Sequence, residues 1–212
     1  IYEFTLRFGE ETDTLDTEGA VIATSDVRPT RAEVLAILPR FTGGIEQVPP
    51  AYSALKVDGQ RAYDLARAGE MVELKARTVT IHSLVLRNDA DEGALTEVTL
   101  VAHVSKGTYI RSLARDIAYG LETCGHVTCL RRTKAGPFLQ EQAISLDNLE
   151  ESAKRASLEH LLLPLEAGLD GIPALHLGPE QASMVRQGRV LTGLPQNDGL
   201  YCAYSGSVPV AL

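Results

Sequence analysis

From Tyr2 to Phe8 apolar and polar residues alternate: Tyr2, Phe4, Leu6 and Phe8 share one side, Glu3, Thr5 and Arg7 the other. That period of two predicts a half-buried strand. Gly9 to Gly19 is polar and acidic and predicts a loop, with a short strand over Ala20 to Ala23 after it. Thr30-Arg31-Ala32-Glu33 has the form of a capping box, and Val34, Leu35, Ile37 and Leu38 make the apolar stripe of a helix behind it. Gly43-Gly44 and Pro49-Pro50 bracket a loop, Tyr52 to Val57 is extended, and Asp58-Gly59 marks a tight turn. Arg61 to Ala68 predicts a short helix with Gly69 at its end. Val72 to Leu86 and Leu95 to Val104 predict two long strands joined by a turn over Asn88 to Gly93. Tyr109 to Leu121 returns to helical spacing, with Ile110, Leu113, Ala114 and Ile117 on one face, and His126 to Arg132 predicts a strand. Ser145 caps a helix running to about Ala156. After Pro164 the texture turns to short strands, Gly and Pro. Pro179 to Gln187 is a helix followed by Gly188, and Gly199 to Leu212 holds two small strands around Ser205-Gly206. Long strands with intervening helices predict an α+β body. The change of texture places a boundary near 165–173, giving a body over 1–165 and a small β-rich appendage over 173–212.

The chain has 212 residues, 44% hydrophobic and 23% charged, which are globular values. No apolar run approaches a membrane span of about 20 residues, and the N-terminus has no signal region. Ile1 is not a Met and opens in mid-strand, so the sequence reads as starting downstream of the protein's own beginning. Three cysteines, Cys124, Cys129 and Cys202, make no disulfide framework and suit a reducing cytoplasm. The net charge of −8 argues against a generic nucleic-acid binder, but the charge is unevenly spread. Residues 1–48 and 141–212 each carry −5, whereas 49–80 and 81–140 each carry +1. A cationic middle between acidic ends can still hold a polyanion.

Two segments carry candidate chemistry. Ser105-Lys106-Gly107-Thr108-Tyr109-Ile110-Arg111 joins a strand to a helix, so a cation and free helix-start N–H groups meet at one corner suited to a phosphate or carboxylate. An ordinary turn with a solvated Lys106 explains the same residues. Arg111 and Arg115 share a helix face beside Asp116, which a solvated face also accounts for. Arg131 and Arg132 alternate sides of a strand, so one of them can point inward, where it needs an anion. The second segment is Pro49-Pro50-Ala51-Tyr52-Ser53-Ala54-Leu55-Lys56 with Arg61, Tyr63 and Arg67, aromatics interleaved with cations in the manner of RNA stacking and backbone contacts. A loop anchored by buried tyrosines is the alternative. Cys124, His126 and Cys129 lack the spacing and the fourth ligand of a zinc site, and no metal is expected. The carboxylates of Asp13 to Glu18 read as loop residues.

In order along the chain, Tyr2 to Gly9, Thr12 to Gly19, Gln47 to Lys56 with Gly59, Ser105 to Arg111 and His126 to Arg132 resemble the bacterial TruB-type tRNA pseudouridine synthases. The tail resembles, more weakly, the family's small PUA-like module. The resemblance implies a pseudouridine-synthase fold and isomerisation of one uridine, position 55 of the TψC loop of tRNA, without cofactor or metal. The uridine is flipped from the stack, the C1′–N1 bond breaks and C1′–C5 forms. It implies tRNA, through its T-arm stem-loop, as partner of a cytoplasmic monomer with no membrane contact. By the same matching, Tyr2 packs on the flipped base, Arg111 pairs with the catalytic Asp and Leu130 lines the base pocket. Tyr52, Lys56, Arg61, Lys106, Tyr109, Arg131 and Arg132 are the expected RNA-binding residues. The family's catalytic Asp belongs to a Leu-Asp-Pro-x-Ala-x-Gly motif upstream of the matching Tyr. Leu15-Asp16-Thr17-Glu18-Gly19 lacks its Pro and Ala and lies downstream. No nucleophile is therefore assigned. The 212-residue chain alone is expected to be catalytically silent, with Arg111 lacking its expected partner, the catalytic Asp. A non-catalytic tRNA-binding or chaperone module would use the same scaffold. A small-molecule enzyme would use the Lys106–Arg111 corner without the Tyr52–Lys56 loop.

Overall fold

A computed structural model describes the chain except residues 58, 70–73, 88–92, 156 and 195. The expected turn over 88–93, except Gly93, and the expected strand start at Val72 therefore lie outside the described residues. So does Asp58 of the tight turn, whose partner Gly59 has φ +86°. Residues 74–76, expected in the same strand as Val72, are described and precede the observed strand. Two compact units are formed, Ile1–Thr133 and Lys134–Leu212, dividing upstream of the 165–173 change of texture.

The first unit contains β1 (Tyr2–Phe8), β2 (Glu10–Thr12), β3 (Val21–Thr24), α1 (Arg31–Ile37), β4 (Gly43–Gln47), β5 (Lys56–Val57), β6 (Gln60–Arg61), α2 (Ala62–Arg67), β7 (Arg77–Leu86), β8 (Glu97–Val104), α3 (Ile110–Gly120) and β9 (Gly125–Arg132). Five of these strands make one sheet in the order β4-β7-β8-β1-β9, and every neighbouring pair is antiparallel. The alternation of β1 explains its place inside the sheet. Phe4, Leu6 and Phe8 are buried and join Leu100 and Ala102 of β8 and Val127 of β9 in one core. Helix α3 covers that core with Ile110, Leu113, Ala114, Ile117 and Ala118, the spacing of a single helical stripe. Gly125 is required where β9 meets β1, because a Cβ there would stand 2.7 Å from the Arg7 carbonyl oxygen and 2.8 Å from Leu6 Cδ1.

The capping box of α1 is formed: Glu33 N donates to Thr30 Oγ1 at 3.3 Å and Thr30 N to Glu33 Oε2 at 2.7 Å. Val34, Ile37 and Leu38 are buried, whereas Leu35, expected on the same stripe, is 41% exposed. Two stretches expected as loops are partly strands. Glu10–Thr12 pairs with β3 and Gly43–Gln47 pairs with β7. The first is a short hairpin closed across the acidic loop and the second an edge pairing with a strand 30 or more positions away, and neither shows as an apolar–polar alternation.

The second unit has β10 (Lys134–Ala135) paired with β11 (Phe138–Leu139), then α4 (Leu146–Lys154), whose first turn is capped by Ser145. Its last part is a three-stranded sheet, β12 (Ala174–His176), β13 (Cys202–Ser205) and β14 (Val208–Ala211), with α5 (Pro179–Arg186) packed against it. Among the described residues no helix is long and apolar enough to cross a membrane.

Candidate active site

The corner between β8 and α3 is pinned on several sides. Ser105 and Thr80 exchange bonds: Ser105 N donates to the Thr80 carbonyl at 2.8 Å, and Thr80 N donates to Ser105 Oγ at 3.0 Å. Thr108 Oγ1 donates to the Ser105 carbonyl at 2.9 Å, and Gly107 takes φ +85°, a left-handed conformation that glycine adopts without strain. Lys106 at the corner is exposed. Tyr109 caps α3 with its backbone, and Arg77 lies 4.9 Å over its ring.

Arg111 leaves the first turn of α3 and reaches three acceptors. Its Nη1 donates to the Thr14 carbonyl at 2.7 Å and to Asp16 Oδ2 at 2.9 Å, and its Nη2 donates to the Tyr52 carbonyl at 2.8 Å. Asp16, expected as a loop residue, is thus a carboxylate partner of Arg111. Asp16 is more than a loop residue, and the local fold shows how it is delivered. Leu15 is buried with φ +63°, a left-handed conformation costing a non-glycine residue about 1–2 kcal/mol. Its carbonyl accepts from Val127 N at 3.0 Å, which docks the acidic loop on β9. Gly19 closes that loop, since a Cβ there would lie 2.1 Å from Asp13 Oδ1. The Asp16 carboxylate also accepts from Thr14 Oγ1 at 2.6 Å and from Glu18 N at 3.0 Å. With donors on both oxygens it is built to hold Arg111 rather than to attack a carbon. Two of the five guanidinium N–H groups of Arg111 remain for another acceptor.

A cavity of about 500 Å³ opens beside this pair, lined by Asp13, Asp16, Tyr52, Tyr63, Arg67 and Arg111 among others. Tyr52 donates its hydroxyl to Asp13 Oδ2 at 3.3 Å. Burial, and next the Asp13 carboxylate, push that hydroxyl above the usual phenol range. Arg67 stacks 4.3 Å over the Tyr63 ring, so a cation and an aromatic face stand together at the cavity wall.

Of the residues singled out from sequence, Arg111, Tyr52, Tyr63 and Arg67 meet here. Tyr2, Leu130 and Arg132 form a second group on adjacent strands: Leu130 pairs with Phe4 and Arg132 with Tyr2, and the Arg132 guanidinium lies 5.1 Å over the Tyr2 ring. Leu130 is 48% exposed on a strand whose first half is buried. It stands three residues, roughly 10 Å of strand, from the Val127 that anchors the acidic loop. Lys56 and Arg61 pair across the β5–β6 hairpin and are exposed. Arg131 pairs with Glu3 and is exposed. Lys106, Tyr109 and Arg131 are not among the residues lining the cavity. Sequence reasoning passed over Asp13, Thr14 and Asp16 as site residues. The available signal was Arg111 itself, since a partly buried guanidinium needs a carboxylate and the crowded Asp13–Glu18 stretch offers one.

Residues 1–110 match the family model described as TruB family pseudouridylate synthase (N terminal domain), and residues 111–170 match the tRNA pseudouridylate synthase B C-terminal domain. The chain is 67% identical over its whole length to tRNA pseudouridine synthase B of Novosphingobium aromaticivorans, spanning 70% of that protein. It is 55% identical over its whole length to the protein of the same name from Zymomonas mobilis, spanning 69% of it. Among solved structures, an H/ACA ribonucleoprotein bound to a substrate RNA containing 2′-deoxyuridine aligns with 95% of the chain at a TM-score of 0.61 and 19% identity, over 54% of its own chain. A Cbf5-Nop10-Gar1 complex aligns with 88% at 0.58 and 22% identity, over 48% of its own chain. At these identities the structural likeness establishes the fold, while the matches over the whole length establish the lineage: the chain belongs to the TruB family of pseudouridylate synthases.

Proposed function

We propose that the protein isomerises the uridine at position 55 of the tRNA T-arm to pseudouridine, acting as a cytoplasmic monomer without a cofactor. The observation that carries this reading is the Arg111–Asp16–Tyr52 cluster at a cavity wall, in a chain 67% identical throughout to a tRNA pseudouridine synthase B. Asp16 fixes the Arg111 guanidinium, whose remaining N–H groups take a second carboxylate or a substrate oxygen. Tyr2 supplies an aromatic face for the flipped base and Leu130 an apolar wall. The exposed cations Lys56, Arg61, Lys106, Arg131 and Arg132 contact phosphates, and Tyr52 and Tyr109 contribute aromatic surface. The body over 1–165 holds the base, and 173–212, with its own small sheet, is the PUA-like module. Bond changes at the base balance internally: C1′–N1 breaks, C1′–C5 forms, the C5 hydrogen leaves as a proton and N1 gains one.

That departing C5 hydrogen gives the test. A T-arm stem-loop tritiated at C5 of the target uridine releases tritium to water only if C5 forms the new bond. The intact protein is expected to release one equivalent, and Arg111→Ala to slow release at least about 100-fold. RNA binding without tritium release by the intact protein would replace this reading with that of a tRNA-binding module.

A further inference from the structure

Gln47 ends the edge strand β4, yet its side chain is 1% exposed, among the largest fully buried side chains of the chain. A buried amide needs partners for both its ends. Gln47 gives both ends to one residue: its Oε1 accepts from Tyr109 N at 2.8 Å and its Nε2 donates to the Tyr109 carbonyl at 3.1 Å. A two-point bond of this kind fixes the orientation of a backbone segment as well as its position. Tyr109 is the N-cap of α3, makes no side-chain cap, and stands two residues before Arg111. Arg77, the cross-strand partner of Gln47, donates to the Gly107 carbonyl and covers the Tyr109 ring. Beyond Gln47 the chain runs beside α3. The Val48 carbonyl accepts from Arg115 Nη2 at 3.2 Å, and the Tyr52 carbonyl accepts from Arg111 Nη2 at 2.8 Å. Edge strand, helix start and the segment leading to Tyr52 are thus set in register at one buried amide. Packing alone does not call for it, since a methionine has nearly the same length and volume; what a methionine would leave without its acceptor is the Tyr109 N–H at the helix start.

We infer that Gln47 is a positioning residue for the reaction: through the Tyr109 backbone it aims the first turn of α3, and so fixes where Arg111 presents its guanidinium. The inference rests on the proposed role of Arg111 in the isomerisation. Its test is a double-mutant cycle in single-turnover pseudouridine formation at saturating T-arm RNA, below the melting temperature of every variant. Gln47→Met keeps the volume and removes both bonds. It is expected to slow the step about 100-fold, the cost of a displacement of about 1 Å at a catalytic group, while the RNA Kd stays within about threefold. In an Arg111→Lys background, where the guanidinium is already gone, the same substitution is expected to cost less than about threefold. A merely structural role would give equal losses in both backgrounds. Should Gln47→Met melt below the assay temperature, Gln47→Glu, which keeps the bond from Tyr109 N, goes through the same cycle. Equal losses, or a Gln47 variant as fast as the unsubstituted protein, would overturn the inference and leave the isomerase reading standing. No product from the unsubstituted protein would overturn the isomerase reading and this inference with it.

Discussion

Replacing Arg111 by Lys separates the geometry of the site from its charge. The guanidinium spans three acceptors, the Thr14 carbonyl at 2.7 Å, Asp16 Oδ2 at 2.9 Å and the Tyr52 carbonyl at 2.8 Å, from two nitrogens set in one plane. An ammonium presents its donors from a single atom on a flexible stem. It can keep Asp16 and cannot also bridge both carbonyls. Each lost bond contributes about 0.5–1.5 kcal/mol net. Thr14 and Tyr52 both line the open cavity, so water takes over part of the loss. With the Arg111 side chain 22% exposed, the sum comes to about 2 kcal/mol. For a unit of this size that is a fall of about 4–10 °C in Tm. The chain has no tryptophan, so far-UV circular dichroism followed on heating reads the midpoint. Activity should fall much further than stability, because the orientation of the remaining N–H groups is lost along with the bonds. A Lys variant with an unchanged midpoint and an unchanged rate would refute the claim that a planar, two-nitrogen donor is needed.

Three further outcomes follow from the same geometry. Binding of a T-arm stem-loop should weaken with salt by roughly 0.7–0.9 log units per tenfold salt for each phosphate neutralised. Lys56→Ala and Lys106→Ala should each flatten that slope, and a slope already flat in the unsubstituted protein removes the phosphate contacts. Tyr2→Ala should lose stacking worth about 1–3 kcal/mol while Tyr2→Phe keeps it; a normal rate in a stably folded Tyr2→Ala assigns Tyr2 to the core instead. Burial raises the Asp116 carboxyl above its ordinary value against the opposing pull of Arg115. Its favourable contribution is therefore full below the unfolded aspartate value of about 4 and is lost as pH rises through the folded one. Asp116→Asn should accordingly raise Tm at pH 7, with the gain shrinking towards pH 3, and a lowered Tm at pH 7 contradicts it.

What could be read from the sequence was what neighbouring residues decide among themselves. The alternation of Tyr2 to Phe8, the Thr30–Glu33 box, the stripe Ile110, Leu113, Ala114, Ile117 and the Pro179–Gly188 bracket are all short-range signals, and each is found where it was expected. The partner of Arg111 is not of that kind. Asp16 lies 95 positions away and reaches the guanidinium only because Leu15 accepts a left-handed conformation and docks on β9. Arg111 and Arg115, which share a face by spacing, find different partners: the acidic loop and Tyr52 for one, Asp116 and Val48 for the other. Strand β4 starts with two glycines, residues of low strand propensity, and is held by its pairing with β7. Gln47 at its end is a polar residue separated by Val48 from a Pro-Pro pair, and nothing local marks it as buried. Motif order, by contrast, carried the family assignment, because five short matches in sequence are far more specific than any one of them.

The most direct measurement is the modification state of tRNA in cells lacking the gene for this protein. Carbodiimide adducts on pseudouridine stop reverse transcriptase, so position 55 can be read one nucleotide at a time. The stop is predicted to vanish on deletion, to return with the intact gene and to stay absent with the Arg111→Ala version. A position-55 stop that persists undiminished in the deletion strain, in every tRNA tested, would contradict the assignment.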